Sequence, residues 1–85
     1  MPTISMFFGI IVQMYYNDHL PPHFHARYQG HEAIYDLEGT LISGELPARQ
    51  ARIVAGWAAA HTEELEADWE LARGHEELFR IGGGL

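Results

Sequence analysis

His23-Phe24-His25-Ala26-Arg27-Tyr28-Gln29-Gly30-His31-Glu32-Ala33-Ile34-Tyr35-Asp36 is the stretch that decides the fold. It reads as two short strands joined at Gln29-Gly30, because side chains of an extended chain alternate between faces and a glycine-bearing dipeptide is a hairpin turn signal. A two-residue loop there places Tyr28 opposite His31, Arg27 opposite Glu32, Ala26 opposite Ala33 and His25 opposite Ile34. Phe24 then meets Tyr35, and His23 meets Asp36. This register gathers an aromatic pair and an alanine pair on one face and an Arg-Glu ion pair on the other, all favourable cross-strand combinations.

Outward from this hairpin the pattern continues. Glu38-Gly39 marks a further turn and places Ile42 beside Tyr35, so that Phe24, Ala26, Tyr28, Ala33, Tyr35 and Ile42 form a buried face. His23, His25, Arg27, Glu32 and Asp36 form the opposite, open face. Upstream, Ile4 to Asn17 is rich in Ile, Val, Phe and Tyr and reads as strand on both sides of Gly9, which is either a hairpin turn or a bulge. Asn17 to Pro22 is a loop, since Asn-Asp starts turns and consecutive prolines hold a donor-poor backbone.

Leu46-Pro47 opens a helical half. Ala51, Val54, Trp57, Ala58, His61 and Leu65 recur at spacings of three and four, which is a core-facing stripe. A break is expected near His61-Thr62, with Thr62 as cap and Glu63 and Glu64 at the positive end of a second helix. Leu65, Trp69 and Ala72 carry the stripe onward, and Gly82-Gly83-Gly84 ends regular structure in a loose tail. Strands followed by helices imply an α+β fold: a small antiparallel sheet of four to five strands, then one or two helices packed on one face. The expected organisation is one domain over residues 1–81 and a glycine-rich tail over 82–85.

Composition limits the function classes. The chain has 85 residues, 47% of them hydrophobic and 20% charged, which suits one folded domain with a modest core. There is no cysteine, hence no disulfide and no thiolate metal site. Twelve acids against five cations, all arginine, leave a net charge of -7, which disfavours direct nonspecific nucleic-acid binding. The longest apolar run, Met6 to Val12, is too short to span a bilayer, and Met1 to Tyr16 lacks the features of a signal peptide. A cytoplasmic location with no membrane association is the expectation. Glu63 to Leu85 holds seven acids against Arg73 and Arg80, a net -5. That segment is either a solvated helix face or an acidic docking surface, with Glu66, Glu70 and Glu77 as candidate partner-binding residues.

Three constellations compete for chemistry. His23, His25 and Asp36 supply two imidazoles and a carboxylate, a ligand set for one divalent ion such as zinc, manganese or iron, with Asp18 and His19 able to join from the loop. Without a metal, His23 or His25 is a candidate catalytic base, with Asp36 orienting it and Arg27 holding an anion, as in metal-independent ribonucleases. The ordinary alternative is two surface histidines, one bonded to Asp36, and an arginine committed to Glu32. No glycine-rich phosphate loop or nucleophile elbow is present.

Ile4-Ser5-Met6-Phe7-Phe8-Gly9-Ile10-Ile11-Val12, Met14-Tyr15-Tyr16, Asp18-His19 and above all Pro21-Pro22-His23-Phe24-His25-Ala26 resemble the small bacterial domain-of-unknown-function family 4160. The resemblance runs from Pro2 to about Trp69 and includes Gly44-Glu45-Leu46-Pro47, Trp57, His61, Glu64-Leu65 and Trp69. It implies membership of a toxin-antitoxin-like pair and action through a protein partner, either a small neighbouring protein or a second copy in a homodimer. It brings no catalytic residues. A small hydrolase or nuclease using His23, His25, Arg27 and Asp36 is the first alternative, and a metal-binding regulatory module the second.

Overall fold

The computed structural model describes residues 2–83. Five strands form one antiparallel sheet in simple meander order: β1 (Thr3–Phe7), β2 (Ile10–Gln13), β3 (His23–Tyr28), β4 (His31–Asp36) and β5 (Leu41–Gly44). Two helices follow, α1 (Ala48–Ala60) and α2 (Thr62–Arg73), which makes the fold α+β.

Turn chemistry sets the pairing. Phe8 and Gly9 at φ 50° and 77°, and Gln29 and Gly30 at φ 45° and 84°, are consecutive left-handed residues, the backbone that a two-residue hairpin needs to match strand twist. Gly9 is therefore a turn, not a bulge. The β3–β4 register has all six pairs expected from the sequence, from Tyr28 opposite His31 to His23 opposite Asp36. Alternation then buries Phe24, Ala26, Ala33 and Tyr35 on one face, joined by Phe7, Ile10 and Val12 from the first hairpin.

Ile42 departs from the expectation. The β4–β5 register shifts between Ile34 and Tyr35, pairing Tyr35 with Leu41 and Ile34 with Ser43. Ile42 is exposed, as is all of β5, the edge strand of the sheet, including Leu41 opposite Tyr35.

The helices cover the apolar face. Trp57 of α1 is fully buried, with its ring centroid 5.1 Å from Phe7 and 5.8 Å from Phe24. Val54 and Ala58 beside it, and Leu65, Trp69 and Ala72 of α2, complete the stripe read from the sequence. Pro47 is the N-cap of α1, just ahead of the helix proper. The break falls at His61, as expected, but Thr62 does not cap: its hydroxyl donates to the Ala58 carbonyl at 3.0 Å, closing the end of α1. Gly39, at φ 96°, lets the β4–β5 turn press onto α1, since a Cβ there would lie 2.8 Å from the Ala55 carbonyl oxygen.

Two further segments fold back. The chain after α2 folds back along β1 as far as Gly82. The Ile81 amide donates to the Ile4 carbonyl at 2.8 Å, the Ser5 hydroxyl donates to the Ile81 carbonyl at 2.7 Å, and the Trp57 indole N–H donates to the Gly82 carbonyl at 2.8 Å. This strap runs beside β1 and satisfies part of its outer edge. Gly84 and Leu85, the end of the tail read from the sequence, lie outside the described residues. The β2–β3 loop is pinned to the end of α2 by the Asn17 amide donating to the Ala72 carbonyl at 3.0 Å. No helix among the described residues is long and apolar enough to cross a membrane.

Candidate metal centre

Strand alternation sends His23, His25 and Arg27 to the face away from Phe24, but that face is not open around the histidines. The β2–β3 loop folds over it, and His23 and His25 are only 2% and 8% exposed. Tyr15 stacks on His25 with ring centroids 4.3 Å apart, and exposed His19 stacks on His23 at 5.0 Å. Trp69 of α2 closes the other side of His23 at 5.4 Å.

The loop delivers Asp18 to the two imidazoles. Asp18 Oδ2 lies 2.9 Å from His23 Nε2 and 3.6 Å from His25 Nε2. One donor atom from each of Asp18, His23 and His25 falls within 4.8 Å of the other two. Burial pushes the Asp18 carboxyl up, but the His19 amide bonded to it and the neighbouring His23 and His19 rings outweigh this and hold it below the usual carboxylate range.

Asp36 does not join them. It sits opposite His23 in the register, as expected, yet its Oδ1 accepts from the Glu38 and Thr40 amides, each at 2.9 Å. Closing the tight turn into β5 satisfies two backbone donors, and the side chain is spent there. The sequence had offered Asp18 only as an accessory ligand. Its spacing of five from His23 spans a loop whose path no periodicity reports.

Each far ring nitrogen has an acceptor behind it. His23 Nδ1 lies 2.7 Å from the Pro21 carbonyl oxygen, and His25 Nδ1 lies 3.3 Å from Glu32 Oε2. Both Nδ1 atoms are thus placed to donate, which leaves both Nε2 lone pairs directed to the side of Asp18. His25 Nε2 is buried with no hydrogen-bond partner. Glu32 is a supporting residue for which the sequence had a different use, as the partner of Arg27.

Arg27 is held in place by three groups. Its Nε donates to Gln13 Oε1 at 3.0 Å, its Nη2 donates to the Tyr15 hydroxyl at 3.1 Å, and the same Nη2 lies 3.2 Å from Glu32 Oε2. The bond to Tyr15, then the Glu32 charge, raise its affinity for the proton further. These ties make it a brace beneath Tyr15 and Glu32, the two residues that contact His25.

The partner candidates divide as well. Glu66 and Glu70 are exposed on α2, but the helix ends at Arg73, so Glu77 lies on the following irregular segment and not on the same helical face. Asp68, by contrast, is an acid the sequence stripe concealed: it is fully buried, and its Oδ1 accepts from the Phe79 amide at 3.0 Å.

Comparison with curated proteins returns no match, and neither does comparison with solved structures. The family model described as domain of unknown function DUF4160 matches residues 9–70, a span that contains the whole Asp18, His23 and His25 cluster and both helices as far as Glu70. The chain belongs to the DUF4160 family.

Proposed function

We propose that this domain is a divalent-metal-binding module, with Asp18, His23 and His25 as ligands, that works as one member of a two-protein pair of the toxin-antitoxin kind. One observation carries the metal reading: every ring nitrogen of two buried histidines faces an oxygen that can only accept. A neutral imidazole has one donor and one acceptor nitrogen, so while the rings are neutral each has one nitrogen without a matching partner. A cation among the two Nε2 atoms and Asp18 Oδ2 removes both mismatches.

The supporting shell agrees with that chemistry. Metal-bound imidazoles almost always donate their other N–H to a carbonyl or carboxylate, which are the roles of Pro21 and Glu32 here. Ligands about 2.1 Å from a tetrahedral ion stand about 3.4 Å apart; the separations at Asp18 Oδ2 are 2.9 and 3.6 Å and all three donor atoms lie within 4.8 Å, so a bound ion would draw the set closer together. Two nitrogens and one oxygen suit zinc, manganese or ferrous iron and leave positions for water or another ligand. The hydrolase alternative has less support, because Arg27 is committed to Gln13, Tyr15 and Glu32 and is not free to hold an anion.

The pairing half of the reading is supported by the family resemblance and by exposed apolar side chains at Met6, Phe8, Leu20 and Leu41. Untagged protein should contain, or take up by calorimetric titration, one equivalent of zinc, manganese or iron per chain. Uptake should raise the melting temperature, and His23→Ala or Asp18→Asn should remove that rise. No stoichiometric uptake of any of the three metals would refute the metal reading. Growth arrest on expression, relieved by the neighbouring gene, tests the pairing separately.

A further inference from the structure

A second concavity lies beside Trp69, and none of Asp18, His23 and His25 lines it. The β2–β3 loop, the β4–β5 turn and the outer face of α2 enclose a groove of about 410 Å³. Pro21, Pro22 and Trp69 form its apolar wall, and Glu38, Glu66 and Glu70 its rim. No arginine or histidine lines it. Among the described residues, Glu38 and Glu66 have no cation within ion-pair distance, and Glu70 has only Arg73 at 3.6 Å in an exposed pair of little strength.

Trp69 lines this groove from within the core. The residue is 3% exposed, and its indole N–H is buried without an acceptor. The carboxylates beside this apolar wall hold a guanidinium or ammonium by charge.

We propose that this groove docks an extended, arginine- or lysine-bearing segment of a different protein, with cationic side chains at Glu38, Glu66 and Glu70 and apolar contacts along Pro21 and Pro22. The spread of acids favours a polypeptide over a small cation. Glu66 and Glu70 stand one turn apart on α2 and Glu38 faces them from the β4–β5 turn, so the three acids belong to two elements on either side of an apolar wall. A second copy of this chain is a poor occupant, since it carries the same net charge of -7 and its five arginines are scattered. Nucleic acid is repelled for the same reason.

The proposal rests on the pairing half of the function above and supplies the partner's chemistry. It is also linked to the histidine centre, because Pro21 both walls the groove and accepts from His23 Nδ1, and Trp69 packs on His23.

The test uses the whole protein and a capped synthetic peptide of alternating arginine and leucine, titrated calorimetrically. The peptide should bind one to one, and its counterpart with aspartate for arginine should not bind. A triple variant, Glu38→Gln with Glu66→Gln and Glu70→Gln, should weaken binding about tenfold or more, whereas Glu45→Gln with Glu76→Gln and Glu77→Gln removes the same charge elsewhere and should change it about twofold or less. Equal loss in both triples, or loss in neither, overturns the groove. So does free arginine binding as tightly as the peptide. Co-purification with the neighbouring gene product separates the two readings. If wild type and the groove triple capture the neighbour equally, the groove is wrong and the pairing stands. If wild type captures nothing while the peptide discriminates as expected, the pairing falls and the groove stands.

Discussion

Asp68→Asn should stabilise the protein at neutral pH, and the gain should shrink as the pH falls. Asp68 is fully buried on α2, with one oxygen bonded to the Phe79 amide and the other without a partner. Burial pushes its carboxyl up from 3.8 to about 6, the Phe79 bond opposes this in part, and the nearby Glu64 charge adds to it. Folding at high pH therefore forces an ionised carboxylate into a site that disfavours it. A shift of about two units corresponds to about 3 kcal/mol lost when the group is ionised in both states. Because the folded value is the higher one, this stability is present below about pH 4 and disappears as the pH rises through about 6. Between about pH 7.5 and about pH 4.5 the advantage of the variant over wild type should fall by about 2 kcal/mol. Urea denaturation of both proteins across that range measures the difference, in which all other titrating groups largely cancel. A difference that does not change with pH would falsify the account of Asp68 as a carboxyl held in a desolvated site.

Other expectations follow from particular contacts. Asp36→Ala should leave metal uptake intact while costing about 1 to 3 kcal/mol, because it releases two turn amides and touches no candidate ligand; loss of uptake would return Asp36 to the metal centre. Tyr35→Ala should cost about 3 to 5 kcal/mol by denaturation, since its ring is buried and stacked on Phe24 at 5.6 Å. Gly39→Ala should lower the melting temperature, combining a left-handed backbone with a clash against the Ala55 carbonyl, and an unchanged melting temperature would mean that the turn stands off α1. Truncation after Phe79 should destabilise the fold by removing buried Ile81 and exposing Trp57 Nε1, read as a fall in urea midpoint.

Local rules carried far in this chain wherever one short-range constraint was enough. Gln29-Gly30 can turn only a few ways, and alternation then assigned every side chain of β3 and β4 to a face, so the six-pair register and the buried Phe24–Tyr35 pair were legible from the letters. The helical stripe through Val54, Trp57, Leu65 and Trp69 was legible for the same reason, because a period of 3.6 residues is a local property. His23 and His25 sharing a face belongs to this class.

What joined them did not. Asp18 and Asp36 are both plausible partners by composition, and the choice depended on where a loop pinned at Asn17 to the end of α2 crosses the sheet, while a turn claimed Asp36 for its own amides. Ile42 looked like a core residue, but β5 is the sheet's edge strand and is exposed along its whole length, with a register shift against β4. The segment through Ile81 and Gly82 packs as a strap because Ile4, Ser5 and Trp57 offered partners that lie more than twenty residues away. Periodicity and turn chemistry act over a few residues and so are written in the sequence directly. Loop paths, the burial of Asp68 and the meeting of Asp18 with two imidazoles depend on long-range packing, which sums many weak contacts and exists only once the chain has closed on itself.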